Sequence, residues 1–222
     1  METYGSALLL QLDEKVSCWH LLQHPFYQDW QAGRLDRSAL RLYAAQYYRH
    51  VEAFPRHLRV LATRAGGELR ELIEANLAEE ESPHRTHPQL WRDFAAAVGV
   101  TDAALDRSVA LPGTQALVDS YHRICGERPL AEAVGALYAY EAQVPEIATQ
   151  KIAGLQRFYG VSDPKGLAYF AVHQEADVRH RAAWREWLDQ DADSSTESVL
   201  KTSEEALRAL WGTLDAVYNS PE

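Results

Sequence analysis

Between Ala168 and Trp187 the chain runs without a proline or a glycine, and inside that stretch His173, Asp177 and His180 recur at i, i+4 and i+7. With 3.6 residues per turn, this spacing sets two imidazoles and a carboxylate on one face of a continuous helix. Each of the three can bind a metal, and a helix of this length is stiff enough to hold them in register. The plain alternative is a solvated polar face, since Glu175, Arg179 and Arg181 lie close by. The choice between the two turns on whether other segments carry matching ligands.

The rest of the chain has the same helical character. Ala, Leu, Glu and Arg are abundant, and no alternating Val/Ile/Thr run stands out as a strand. Ser6–Gln23 forms a first helix, with Leu8, Leu9, Leu12, Val16, Trp19 and Leu22 at helical spacing, and His24-Pro25 ends it. Pro25 starts a short helix over Phe26–Gln31, closed by Gly33. Asp36 caps a long helix over Arg37–Arg64, in which Pro55 should introduce a kink. Helices over Glu68–Glu81 and Pro88–Val98 follow, then a short one that Thr101 caps and Pro112-Gly113 ends. Thr114–Cys125 stops at Gly126, and Leu130–Tyr159 is a long helix interrupted at Pro145. Asp163-Pro164 is a cap with proline at the first position and opens the helix that carries the triplet. Asp191–Ser195 is a polar linker before the last helix, Thr196–Tyr218. The expectation is one all-α domain over residues 1–222, built from seven or eight main helices.

A net charge of −10 argues against a nucleic-acid surface, where phosphate calls for clustered Lys and Arg. Cys18 and Cys125 are too few for a disulfide framework, which fits a reducing compartment. The first residues, METYGSALLLQLDEKV, hold too short an apolar run for a secretory signal. Nothing approaches the ~20 apolar residues of a membrane span. A cytoplasmic protein without membrane or nucleic-acid partners is expected.

Further ligand candidates lie on two other segments. Glu80 and His87 are seven residues apart, two helical turns, and so could share a face. Glu81 and His84 are a competing pair with the i,i+3 spacing of ferritin-like di-iron bundles, which requires an unbroken helix through Pro83. Glu141 falls in an otherwise apolar and aromatic turn among Leu137, Tyr138, Tyr140 and Val144. A carboxylate buried there is costly unless it is paired or bound to metal. Glu80, His87, Glu141, His173, Asp177 and His180 together make three carboxylates and three imidazoles. That set suits two iron or manganese ions better than a structural zinc, which takes four ligands and often cysteine.

Four stretches together resemble the CADD-like proteins. They are HPFY (His24–Tyr27), EEESPHRTHPQLW (Glu79–Trp91), YEAQVPEIATQKIAGL (Tyr140–Leu155) and HQEADVRH (His173–His180). These relatives are haem-oxygenase-like di-metal oxidases, named for a chlamydial protein that associates with death domains. The resemblance implies a seven-helix haem-oxygenase-like bundle, usually a homodimer, with a site of iron or of iron plus manganese. Its ligand positions fall on Glu80, His87, Glu141, His173, Asp177 and His180, with the Glu79–Glu81 run leaving the first open by one residue. It also implies a reaction in which the protein makes para-aminobenzoate for folate synthesis from its own chain, using dioxygen and an external reductant. The sacrificed tyrosine falls on Tyr27 and the amino-donating lysine on Lys151, while Tyr43 and Tyr140 match further tyrosines near the metals. Lys151 follows Glu141 by ten residues, an offset of roughly 80° that does not by itself aim it at the metals; a kink at Pro145 could.

Other functions compete with this one. The same ligands would serve a multiple-turnover oxygenase acting on a diffusible small molecule. A thiaminase-like bundle needs a nucleophilic cysteine, and Cys125 has no evident base beside it. A cofactorless quinone-forming bundle of the PqqC type gives no reason for the six ligands. Haem oxygenase needs an axial histidine, for which only His20 or His24 could be put forward. The different class is a non-catalytic interaction module, and no feature of the sequence indicates a death-domain surface.

Overall fold

The computed structural model describes residues 7–191 and 195–220, so Ser6 and the middle of the Asp191–Ser195 linker lie outside the described residues. Among the described residues the chain forms α-helices and no strand. The first helix, α1 (Ala7–Cys18), buries Leu8, Leu9, Leu12 and Val16 but ends before Gln23. The backbone finds other partners there. His20 Nδ1 accepts from the Leu22 amide at 3.3 Å, and the Leu21 amide donates to Gln143 Oε1 at 2.8 Å. A single 3-10 turn over Leu21–Gln23 results.

His24 caps α2 (Pro25–Ala32) by accepting from the Phe26 amide, and Gly33 closes it at φ 68°, a conformation that glycine adopts without a Cβ penalty. Asp36 accepts from the Ala39 amide at 2.7 Å and starts α3 (Arg37–Arg64). That helix continues through Pro55, with Val51, Phe54, Leu58 and Leu61 buried on both sides of it. Next come α4 (Gly67–Glu80) and α5 (His87–Ala97), the latter opened by a reciprocal Thr86–Gln89 capping box. The short α6 (Asp102–Arg107) stops well before Pro112, where Arg49 collects the carbonyls of Leu105 and Ser108.

α7 (Pro112–Glu127) runs past Gly126, its expected end. Arg64 donates to the carbonyls of Cys125 and Arg128, at 2.7 and 2.6 Å, and so satisfies the last turn. The long segment after Leu130 divides into α8 (Leu130–Glu141) and α9 (Val144–Phe158). The break falls at Ala142 and Gln143, just before Pro145, whose ring would meet the Glu141 carbonyl in an unbroken helix. Asp163 caps α10 (Pro164–Gln190), and Ser195 caps α11 (Thr196–Tyr218). Counting α8 and α9 as one interrupted segment and setting aside the short α2 and α6 leaves eight long helical segments among the described residues.

Every residue of α8 from Ala131 to Glu141 is buried. Such a helix has no solvated face and must sit inside the bundle. It packs against α11 and α10, while α10 also contacts α9 and α5, and α3 contacts α7, α4 and α5. The close approach of α8 and α11 depends on Gly135, where a Cβ would stand 2.7 Å from Val199 Cγ1. The end of α8 meets α4, whose Asn76 reaches Glu141, and the middle of α10, which carries Asp177 and His180. Among the described residues no helix is long and apolar enough to cross a membrane.

Candidate metal centre

Five of the six residues named as ligand candidates are buried and His180 is nearly so, and they fall into two groups of three. Glu80, His87 and His173 form one; Glu141, Asp177 and His180 form the other; in each, one donor atom per residue lies within 4.8 Å of the others. Four helices supply them. Glu80 ends α4, His87 starts α5, Glu141 ends α8, and α10 contributes its triplet.

Glu80 and His87 do not share a helical face. The chain leaves the helix after Glu80 and re-enters it at His87, and the intervening turn folds back so that Glu80 Oε1 and His87 Nδ1 stand 2.8 Å apart. The physical reason is Pro83, which cannot continue α4, together with Thr86, which caps a new helix. The competing pair is placed elsewhere. Glu81 and His84 are exposed, and Glu81 pairs with Arg59.

Hydrogen bonds orient the groups. His173 Nδ1 lies 2.6 Å from the Tyr169 carbonyl, which can only accept, so Nδ1 carries the proton and Nε2 keeps its lone pair. Glu141 accepts from Asn76 Nδ2 at 2.9 Å and from Trp184 Nε1 at 2.6 Å, which fixes both carboxylate oxygens. His180 Nδ1 stands 3.5 Å from Asp177 Oδ1 and 3.9 Å from Glu141 Oε2. Neither Asn76 nor Trp184 stood out in the sequence, because an ordinary asparagine and a tryptophan at an apolar position carry no local mark of a carboxylate partner.

The electrostatics favour added positive charge. Burial, and then the Asp177 charge, push the Glu141 carboxyl well up. Burial also raises Asp177, although its hydrogen bond with His180 opposes this. Burial lowers His180, but the Asp177 hydrogen bond and the Glu141 charge outweigh it and bring the imidazole up to about 9. Burial followed by the neighbouring His87 holds His173 down to about 3. The carboxylates thus collect positive charge around them in a place where water cannot solvate it.

Divalent cations fit this donor set. Asp177 Oδ2 and His180 Nε2 are buried without a hydrogen-bond partner, and three carboxylates among three imidazoles match the preferences of iron and manganese. Glu80, His87 and His173 would hold one ion, and Glu141, Asp177 and His180 the other.

Beside these ligands lies a second polar cluster. The Lys151 ammonium donates to Tyr43 Oη at 2.6 Å, and the Tyr27 and Tyr43 hydroxyls are 3.1 Å apart. Lys151 Nζ also stands 5.3 Å from the centre of the Tyr27 ring. The Tyr47 hydroxyl donates to Tyr140 Oη at 3.1 Å, and the Tyr43 and Tyr47 rings stack at 5.5 Å. Burial alone pulls Lys151 down to about 7, while burial and the neighbouring Tyr47 raise Tyr27. One cavity is lined by Tyr27, Tyr47, Tyr140, Lys151, Tyr169 and His173. Lys151 enters this space from α9, beyond the break that follows Glu141.

Residues 41–211 match a family model described as iron-containing redox enzyme. Among named relatives, the 4-aminobenzoate synthase of Chlamydia pneumoniae is 39% identical over 213 residues, covering 95% of this chain and 95% of its own. The 4-aminobenzoate synthase of Nitrosomonas europaea is 39% identical over 224 residues, covering 95% of this chain and 90% of its own. A protein from Shewanella denitrificans, described as a domain of unknown function with a haem-oxygenase-like fold, superposes with a TM-score of 0.81 at 20% identity, covering 95% of this chain and 91% of that one. The fold is haem-oxygenase-like.

Proposed function

The chain belongs to the iron-containing redox enzyme family, and on that premise we propose that it is an oxygen-dependent di-metal oxidase that makes 4-aminobenzoate from its own Tyr27 side chain, with Lys151 as amino donor. The observation that carries the reading is the shared cavity, in which a tyrosine, a lysine with a depressed pKa and a candidate metal-ligating histidine face the same space. The relatives named 4-aminobenzoate synthase support the product.

When bound, the two ions would supply the reduction of dioxygen and the oxidising power to attack a nearby phenol. The chain's own residues do the rest. Phe26, Trp30 and Tyr43 pack around Tyr27 and hold its ring, with centroids at 5.4, 6.3 and 6.4 Å. Tyr43 Oη accepts from Lys151, which leaves its own proton to donate to Tyr27. That bridge lets a proton leave either end without exposure to bulk water. Near neutral pH Lys151 spends much of its time as a free amine, the form in which nitrogen is a nucleophile.

Protein grown with ring-labelled tyrosine, loaded with reduced iron and manganese and exposed to air with a reductant, should release labelled 4-aminobenzoate at no more than about one molecule per chain. This ceiling follows from a ring donor that is covalent and not replaced. Sustained turnover on an added aromatic compound, with Tyr27 intact by mass, would instead establish a conventional oxygenase.

A further inference from the structure

The cavity that Tyr27 and Lys151 share is nearly sealed. Ten of its eleven lining residues are buried, and Val144, at the start of α9, is the one that reaches partly to solvent. The space inside takes about one water-sized molecule. Tyr27 itself is 2% exposed. An aromatic ring cut from that side chain cannot leave unless part of the wall moves.

On one side the wall is a single residue thick. Leu21, Ile147 and Lys151 line the cavity, while their chain neighbours Leu22, Glu146 and Gln150 line a polar surface cleft with His20 and Gln23. The 3-10 turn over Leu21–Gln23 and the first two turns of α9 therefore separate the inside from solvent. Such a turn has poorer hydrogen-bond geometry than the α-helices on either side of it. Two polar contacts bridge the seam. Gln143, buried in the break between α8 and α9, accepts from the Leu21 amide at 2.8 Å and donates to the Ala139 carbonyl at 3.1 Å. On the outer side, His20 Nε2 and Glu146 Oε2 stand 3.5 Å apart.

We propose that the Leu21–Gln23 turn is a gate latched by Gln143. When the glutamine side chain releases the Leu21 amide, the turn swings away from α9 and opens the cavity to the cleft, and the ring product leaves by this route. Water reaches the Leu21 amide and the Gln143 side chain once the seam parts, so the latch breaks without stranding a buried polar group. The gate rests on the proposed synthesis for what passes through it, since a product made inside the wall needs an exit wide enough for a ring.

The gate can be read in the metal-free protein. In Tyr27→Ala, loss of the ring leaves a space beside Phe26, Trp30 and Tyr43 that para-cresol, the tyrosine side chain as a free molecule, should fill. Stopped-flow fluorescence gives its rates of entry and exit. Adding Gln143→Leu, which keeps the bulk and removes the latch, should raise both rates several-fold and leave their ratio nearly unchanged. The opposite change is a covalent strap. His20→Cys and Glu146→Cys are added on a Cys18→Ser background, with Cys125 buried and unreactive, and a short bis-alkylating linker joins the two thiols. The strap should slow entry and exit several-fold relative to the same protein capped with iodoacetamide. Equal rates in the strapped and capped proteins would overturn the gate.

A second measurement needs no probe molecule. In the unsubstituted protein the Leu21 amide should exchange with deuterium through a local opening that depends little on denaturant. Gln143→Leu should speed that exchange several-fold and leave the Leu137 amide, inside α8, unaffected. Exchange of Leu21 only together with Leu137, by global unfolding, would overturn the gate whether or not para-cresol binds. No metal or product enters these measurements, so the gate and the proposed synthesis can fail separately.

Discussion

Glu80 closes one helix and His87 opens the next, yet their side chains meet at 2.8 Å. The connecting turn, held by Pro83 and by the Thr86–Gln89 capping box, brings a carboxylate and an imidazole together where a continuous helix would have set them about 10 Å apart. Glu80→Ala and His87→Ala should each cost about one of two bound ions, because each removes a ligand from a set of three. Glu81→Ala and His84→Ala should leave the metal content unchanged, since both residues face solvent. Elemental analysis of the four purified variants checks this, and the reverse order would return the site to the ferritin-like pairing.

Trp184 is a positioning residue for Glu141. Its indole nitrogen donates to Glu141 Oε2 at 2.6 Å inside the bundle. Trp184→Phe keeps an aromatic ring there but strands a buried carboxylate oxygen, at a cost of about 1–3 kcal/mol. Metal affinity should weaken by roughly 10–100-fold through loss of ligand orientation. Urea unfolding of the metal-free protein reads the first effect and competition with a chelator reads the second; loss of stability without loss of affinity would make the tryptophan merely structural.

How much of this could be read from the sequence depended on how local each interaction is. The starts of α2, α3, α6 and α10 were legible because His24-Pro25, Asp36, Thr101 and Asp163-Pro164 cap within three residues of themselves. The triplet on α10 was legible for the same reason, being a matter of periodicity on one helix. The end of α1 was not, because the Leu21 amide is taken by Gln143, which lies 122 residues along the chain. Nor was the C-terminus of α7, where Arg64 satisfies the last carbonyls from another helix. Within the candidate site, Asn76 and Trp184 act through Glu141 on another helix, and no spacing pattern could mark them.

Lys151 makes a pH-dependent prediction for the metal-free protein. Burial lowers its pKa from 10.5 to about 7, so between those values the unfolded chain binds a proton that the folded chain lacks. Stability therefore rises with pH across that window, by at most about 1.4 kcal/mol per pH unit from this group. Below pH of about 7 both states bind the proton, and the full penalty of a buried charge is present. Lys151→Met, which fills the same space without a charge, should be stabilised relative to the parent most at low pH, the gap narrowing as pH rises toward 10. Urea unfolding midpoints over that range measure it, and a gap independent of pH would mean that Lys151 is charged in the folded protein throughout.

The sharpest prediction separates the ring donor from the amine donor. Tyr27 and Lys151 both contact Tyr43, and neither is one of the six ligand candidates. Tyr27→Phe keeps the packing against Phe26 and Trp30 but removes the oxidisable hydroxyl, so 4-aminobenzoate should vanish while metal content stays the same. Lys151→Arg retains a cation and replaces the transferable primary amine with a guanidinium that stays protonated. It should likewise give no product, yet Tyr27 can still be oxidised, so the peptide covering His24–Trp30 should change mass in this variant and remain unchanged in Tyr27→Phe. Intact-protein and peptide mass spectrometry before and after exposure to air with reductant reads both outcomes. Product from Lys151→Arg at the parental yield would assign the nitrogen to another source while leaving Tyr27 as the ring, and product from Tyr27→Phe would remove the sacrificial role altogether.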